Sequence, residues 1–227
     1  MPRRSEPLIT GEIYHIFNKT IESKEIFNNK SAGNLMLVLL NYYKSLQATL
    51  SYSKLKLVDP QIREQILRKI RDKKSHKVEI YCFCLMPTHF HFLLKQKVNN
   101  GISKFIADII NSLTKTFNLI NERTGPIFIP RFKSVRIRNE EQLKHVFRYI
   151  HLNPYSSQLV NDFESLKKYR FSSLIDYLKR YKIHNFVDRD FFLRLFNGNK
   201  NRLKKFIFDR ADYQRSLETI KYIEKLL

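Results

Sequence analysis

The chain predicts an α+β fold, with a central, mainly antiparallel sheet flanked by helices and a helical C-terminal extension. Three observations carry that expectation. Apolar residues recur with strand character over 13–18, 78–85, 89–95 and 132–138, and with helical spacing over 31–47, 60–73, 103–121 and 139–153. The strands at 78–85 and 89–95 are separated only by Met86-Pro87-Thr88, so they belong side by side in one sheet. Beyond Pro154 the pattern changes to short helices alone, over 174–181, 191–196, 202–208 and 213–226.

Each element has a local reason. The first strand follows Gly11, and the helix at 31–47 has Ser31 as a side-chain cap and Leu35, Leu37, Val38, Leu40 and Tyr42 as its apolar positions. Asp59 caps 60–73, where Ile62, Ile66, Leu67 and Ile70 form one stripe and the opposite face is strongly basic. In 103–121 the apolar set is Phe105, Ile106, Ile109, Ile110, Leu113, Phe117 and Ile120, and Gly125-Pro126 ends that stretch. The strand at 132–138 sets Phe132, Ser134, Arg136 and Arg138 against Lys133, Val135 and Ile137. Asn139 caps a helix that carries Val146, Phe147 and Ile150 and stops at Asn153-Pro154. No internal repeat or low-complexity linker interrupts the chain. The organisation expected is a domain over 8–160 followed by a basic helical extension over 161–227.

At 227 residues with 43% hydrophobic content the chain can bury a full core in one domain, and 18 Phe with 12 Tyr argue against disorder. The most apolar helical run, 35–40, is far too short to span a bilayer, and Met1-Pro2-Arg3-Arg4-Ser5-Glu6 lacks the apolar core of a signal peptide. A cytoplasmic protein with no membrane contact is expected. Cys82 and Cys84 alternate on a strand at a spacing that suits neither a zinc knuckle nor a disulfide, so they read as small buried hydrophobes.

Charge points to the partner. With 42 Lys+Arg against 21 Asp+Glu the net charge is +21, spread along the whole length, and such a chain repels itself unless it meets a polyanion. Nucleic acid is the economical partner, because Arg and aromatic residues interleave with the lysines. A lysine-rich surface produced by an AT-rich genome is the plain alternative.

His89 and His91 lie one residue apart in Met86-Pro87-Thr88-His89-Phe90-His91-Phe92-Leu93-Leu94. On a strand they share a face while Phe90 and Phe92 take the other. Two imidazoles converging on one point suit a divalent ion, but they leave a shell incomplete, so a third ligand or an open site is implied, with a structural pair as the plain alternative. In Arg148-Tyr149-Ile150-His151-Leu152-Asn153-Pro154, Tyr149 and Asn153 are four residues apart and share a helix face. Taken alone, the one is a core-edge aromatic and the other a cap before proline. Placed beside the histidines, Asn153 completes a metal shell and Tyr149 becomes a nucleophile for phosphorus.

Taken together, residues 85–91, Gly125-Pro126-Ile127-Phe128 leading into Arg131-Phe132-Lys133-Ser134, and residues 148–154 resemble the single-tyrosine transposases of the HUH nuclease superfamily, closest to the REP-associated branch. The run Gly11-Glu12-Ile13-Tyr14-His15-Ile16-Phe17-Asn18 and Phe171-Ser172-Ser173 extend the likeness to about 11–180. The resemblance implies cleavage and rejoining of single-stranded or hairpin DNA through a covalent 5′-phosphotyrosine, with His89 and His91 as metal ligands, Asn153 as the third and Tyr149 as nucleophile. Thr88 stands where the family usually has Asn, Ile129-Pro130 where it has Gln-Gly, and Lys19-Thr20 where it has Arg-Gly.

Physical chemistry agrees with that assignment. Attack on a phosphodiester needs charge neutralisation and an aligned nucleophile, and two imidazoles with an amide suit Mg²⁺ or Mn²⁺; no small-molecule cofactor is implied. Arg131, Lys133, Arg136 and Arg138 form a basic strand suited to the DNA backbone, and Lys115, on the polar face of its helix, is either a DNA contact or an ordinary solvated lysine. His151 reads as a packing or hydrogen-bonding residue, and His15, His76, His145 and His184 read as isolated. The rival reading is a catalytically silent, domesticated binder of single-stranded or hairpin nucleic acid. A structural metal protein is disfavoured because a closed zinc site wants four ligands. Either a monomer or a homodimer fits.

Overall fold

The computed structural model describes residues 7–216. Its sheet is built from β1 (Ile13–Lys19), β2 (Val78–Met86), β3 (His89–Gln96) and β4 (Lys133–Arg136), standing in the order β2-β3-β1-β4. Every neighbouring pair is antiparallel, as the pattern predicts. β2 and β3 form a hairpin across Pro87-Thr88, with Met86 opposite His89 and Cys84 opposite His91. β3 is thereby an inner strand, and its alternation decides which side chain meets which helix layer.

One face carries Phe90, Phe92, Leu94 and Gln96. The rings of Phe90 and Phe92 stack with centroids 4.4 Å apart, and both are fully buried. α1 (Lys30–Tyr43), α2 (Tyr52–Leu55), α3 (Pro60–Arg71) and α4 (Gly101–Ile120) precede β4 in the chain, and α1 packs on α4. Gln96 ties α4 to this face, since its side-chain oxygen accepts from the Ile102 N–H at 3.2 Å. Asp59 caps α3 as expected, accepting from Gln61 and Ile62. The cap of α1 is Asn29 in place of Ser31, because the Asn29 side chain accepts from both Ser31 N and Ala32 N and so starts the helix earlier.

The other face carries His89, His91 and Leu93 and lies under α5 (Glu140–Ser156), which packs on β2 and β3. Asn139 caps this helix through Gln142 N, and Glu140 and Glu141 complement the dipole in its first turn. Leu143, Phe147, Ile150 and His151 form its buried stripe. The helix does not stop at Asn153: it runs through Pro154 to Ser156. Proline removes one N–H partner, that of the Ile150 carbonyl, and a loss this near the C-terminus is absorbed because the helix ends within the next turn.

Beyond α5 come α6 (Phe163–Lys168), α7 (Leu174–Leu178), α8 (Arg189–Leu195) and α9 (Lys200–Phe208). Their Leu166, Leu174, Tyr177, Phe192, Leu203 and Ile207 join the same core as the sheet. The segment also shields the open edge of β2: Leu85 N–H donates to the Phe171 carbonyl at 2.8 Å and Ser173 N–H to the Phe83 carbonyl at 3.0 Å. Gly33 inside α1 is explained by this segment, since a Cβ there would stand 2.5 Å from the Phe171 ring. The helix expected over 213–226 falls mostly outside the described residues. Among those described, no helix is long and apolar enough to cross a membrane.

Two histidines away from the sheet centre make stability depend on acid. Burial lowers His151 to about 3 and His76 to about 4, so both stay neutral in the folded chain. His151 Nε2 meets Ser173 Oγ at 2.8 Å, and His76 bonds the Ile70 carbonyl at 3.2 Å. Unfolding lets both recover an ordinary pKa near 6.5, so the unfolded chain binds more protons once pH falls below that value. The melting temperature should therefore drop between pH 6.5 and 5, before most carboxylates titrate. A flat melting temperature across that window would contradict the burial of these imidazoles.

Candidate functional site

β3 builds half of the site. His91 sits at the sheet centre between Phe17 of β1 and Cys84 of β2 and is 5% exposed, while His89, at the start of the strand, is half-buried. Their rings stand nearly perpendicular with centroids 5.0 Å apart, as expected for two residues projecting from one face. Both are held through Nδ1. Thr88 Oγ1 lies 3.0 Å from His89 Nδ1, and His15 Nε2 lies 2.9 Å from His91 Nδ1. Nε2 is then the candidate ligating nitrogen of each ring.

Burial holds His91 well below the usual histidine range, and the neighbouring His15 and His89 lower it further. His15 is lowered to about 4 by burial. Neutral imidazole is the form that binds metal ions, so the sheet keeps His91 in a ligating state at neutral pH.

α5 builds the other half. The half-buried Tyr149 meets His91 edge-on at 5.6 Å between centroids and His15 at 6.0 Å. Asn153 follows one turn later and is 7% exposed. Its Nδ2 donates to the Tyr149 carbonyl at 3.0 Å, which leaves Oδ1 as the atom it can give to a ligand. Among the described residues no third His, Cys, Asp or Glu joins the pair in a metal-binding cluster. A third protein ligand would thus be of another type, and an amide oxygen fits. Two imidazoles with an amide oxygen form a donor set compatible with Mg²⁺ or Mn²⁺.

Tyr155, the nearest tyrosine to Tyr149 in sequence, lies within α5 and not beyond it. It is buried, its hydroxyl donates to Asp212 Oδ1 at 2.6 Å, and the Arg215 guanidinium covers its ring at 4.4 Å. It is committed to the C-terminal segment.

The basic strand divides between two faces. The register sets Cys84, His91, Phe17 and Lys133 in one row across all four strands, which puts the Lys133 Cα about 10 Å from that of His91 on the same face. Arg131 and Lys133 are exposed. Arg136 pairs with Tyr14, on the opposite face, and its guanidinium grips Glu12 at 2.9 and 3.2 Å. Arg138 is exposed just past the strand. Lys115 is not brought to this site: it lines a groove of about 660 Å³ between α4 and residues 43–54, which none of His89, His91, Tyr149 and Asn153 lines. Four of the positions that depart from the family pattern hydrogen-bond to one another. Thr20 Oγ1 donates to the Thr88 carbonyl at 3.0 Å, and the Ile129 N–H donates to the Lys19 carbonyl at 3.0 Å.

His15 belongs to the surroundings of the site although its local sequence does not mark it out. It lies 76 positions from His91 in the chain, and only the β1–β3 pairing brings the rings together. The available signal was its place in the run 11–18, which carries part of the resemblance described above. None of the other histidines is isolated. His145 Nδ1 meets Arg148 at 2.9 Å, and His184 Nδ1 meets the buried Asp176 at 2.6 Å.

Residues 50–153 match the family model described as "Transposase IS200 like", a span that includes His89, His91, Tyr149 and Asn153. No curated protein matches the chain in sequence. A solved structure of a REP-associated tyrosine transposase bound to a REP hairpin superposes with a TM-score of 0.53 at 18% identity, covering 81% of this chain and 90% of that one. The likeness to IS200-like transposases thus holds in sequence over residues 50–153, and the fold is shared with that transposase structure over most of the chain.

Proposed function

We propose that this chain, with an IS200-like transposase segment over residues 50–153, is a metal-dependent endonuclease and strand transferase for single-stranded or hairpin DNA. The observation that carries the reading is the meeting of β3 and α5, which sets Tyr149 edge-on to His91 at 5.6 Å with His89 alongside. A binder of DNA has no use for a phenol beside two converging imidazoles.

His89 and His91 through Nε2, and Asn153 through Oδ1, would hold Mg²⁺ or Mn²⁺. The ion would supply neutralisation of the charge on the phosphate oxygens. Tyr149 supplies the nucleophile: its phenol oxygen forms a bond to phosphorus and loses its proton, while the 3′ oxygen leaves and takes one up. The 5′-phosphotyrosine keeps the phosphoester bond, so a 3′-hydroxyl can attack it and release Tyr149 without ATP. Packing of α5 on the sheet fixes the phenol relative to the imidazoles, which removes much of the entropy cost of alignment.

Arg131 and Lys133 would contact the DNA backbone, since they lie exposed at and beside the site face. The hairpin bound by the structural neighbour supports a hairpin as the substrate here. Affinity for a DNA hairpin should fall steeply as salt rises. Lys133→Ala should lower the slope of log K against log salt by about 1, whereas Arg136→Ala, which removes a side chain already committed to Glu12, should lower it less. A flat salt response would remove nucleic acid as the partner.

The direct test is a denaturing gel for a covalent protein–DNA adduct with hairpin DNA and Mn²⁺. Binding without any adduct would favour the catalytically silent binder.

A further inference from the structure

His15 sits where it can decide which nitrogen His91 offers. Its Nε2 lies 2.9 Å from His91 Nδ1, and both residues are buried, 8% and 5% exposed. A hydrogen bond between two ring nitrogens needs one proton, carried by one of them and accepted by the other. Two arrangements satisfy it. If His91 Nδ1–H donates to His15 Nε2, the lone pair of His91 is on Nε2. If His15 Nε2–H donates instead, His91 carries its proton on Nε2 and cannot ligate there. The tautomers of the two rings are thus coupled through one bond.

We propose that His15 is a positioning residue that accepts the His91 Nδ1 proton, locking His91 in the tautomer whose Nε2 is available to a divalent cation. The proposal rests on the metal site described above, and it adds to it a partner from β1 that lies outside the 50–153 family match. Buried metal-binding histidines generally donate their second ring N–H to an acceptor that fixes tautomer and orientation, usually a carboxylate or carbonyl. Among the described residues the group that meets His91 Nδ1 is His15 and not a carboxylate, so His15 stands at the position of that acceptor. The ring contacts restrain it further: Phe17 lies 5.0 Å from His15, and Tyr149 lies 6.0 Å away edge-on. His15 therefore also borders the ring of the proposed nucleophile without being called on to transfer a proton.

The test compares His15→Phe with His15→Gln. Phenylalanine keeps the ring and its packing but accepts nothing, whereas the Gln side-chain oxygen can stand near the position of Nε2. Nitrogen NMR of the imidazoles in the metal-free wild-type protein should find His91 protonated on Nδ1. In His15→Phe that preference should be lost, and in His15→Gln it should be kept. Mn²⁺ titration followed by electron paramagnetic resonance should give about 10- to 100-fold weaker binding for His15→Phe and near wild-type binding for His15→Gln. His91 protonated on Nε2 in the wild type would overturn the proposal, and so would equal Mn²⁺ affinity in all three proteins. If the wild type binds no Mn²⁺, the metal reading fails, while the tautomer measurement still decides the role of His15.

Discussion

Tyr149→Phe should abolish the covalent adduct with hairpin DNA and lower strand cleavage by on the order of 10⁴-fold or more, with DNA binding nearly unchanged. The substitution removes one oxygen and keeps the ring that meets His91 and His15 edge-on, so the packing of α5 on the sheet persists. Loss of activity with intact binding in a folded variant isolates the hydroxyl. Tyr155→Phe is the matched control. It removes the bond to Asp212, so it should cost stability, about 1 kcal/mol or somewhat more, and leave the adduct in place. Adduct formation by Tyr149→Phe would show that another side chain attacks phosphorus.

The second large effect belongs to the histidines. His91→Ala should reduce cleavage by about 10²- to 10³-fold, since on the proposed reading it removes a ligand of the charge-neutralising ion. His89→Ala should act in the same direction, and Asn153→Ala less strongly, because an amide oxygen is the weakest of the three donors. The dependence on Mn²⁺ concentration separates a binding defect from a chemical one: a weakened site needs more ion to reach the same rate. Wild-type cleavage in excess chelator would remove the metal from the account. His91 lies in a packed row between Phe17 and Cys84, so its alanine variant also leaves a cavity, and circular dichroism must establish that the variant is folded.

What was legible in the sequence was whatever a local period or cap encodes. The His-Phe-His-Phe alternation placed two imidazoles on one face of β3 and two phenyl rings on the other, because strand geometry leaves no choice once the strand is recognised. Asp59 and Asn139 marked helix starts through their side-chain oxygens. The spacing of Tyr149 and Asn153 put them one helical turn apart whatever the rest of the fold.

What was not legible depends on pairing across long sequence distance. Nothing near His15 states that β1 lies beside β3, and a residue so placed looks isolated until the sheet is assembled. The basic strand misled for a related reason. Alternation was visible in it, but only the register against β1 reveals that Lys133 shares the His91 face while Arg136 turns to Glu12. Local rules also compete near chain features that tolerate exceptions. Asn29 and Ser31 can both cap a helix, and Pro154 normally ends one but is accommodated in the last turn of α5.

The measurement that tests the central claim most directly is peptide mapping of the trapped adduct by mass spectrometry, after incubation with hairpin DNA and Mn²⁺. The expected product is a nucleotide joined through phosphate to Tyr149. A nucleotide on Tyr155 or on any other residue, or no adduct under conditions where the hairpin is bound, would contradict it.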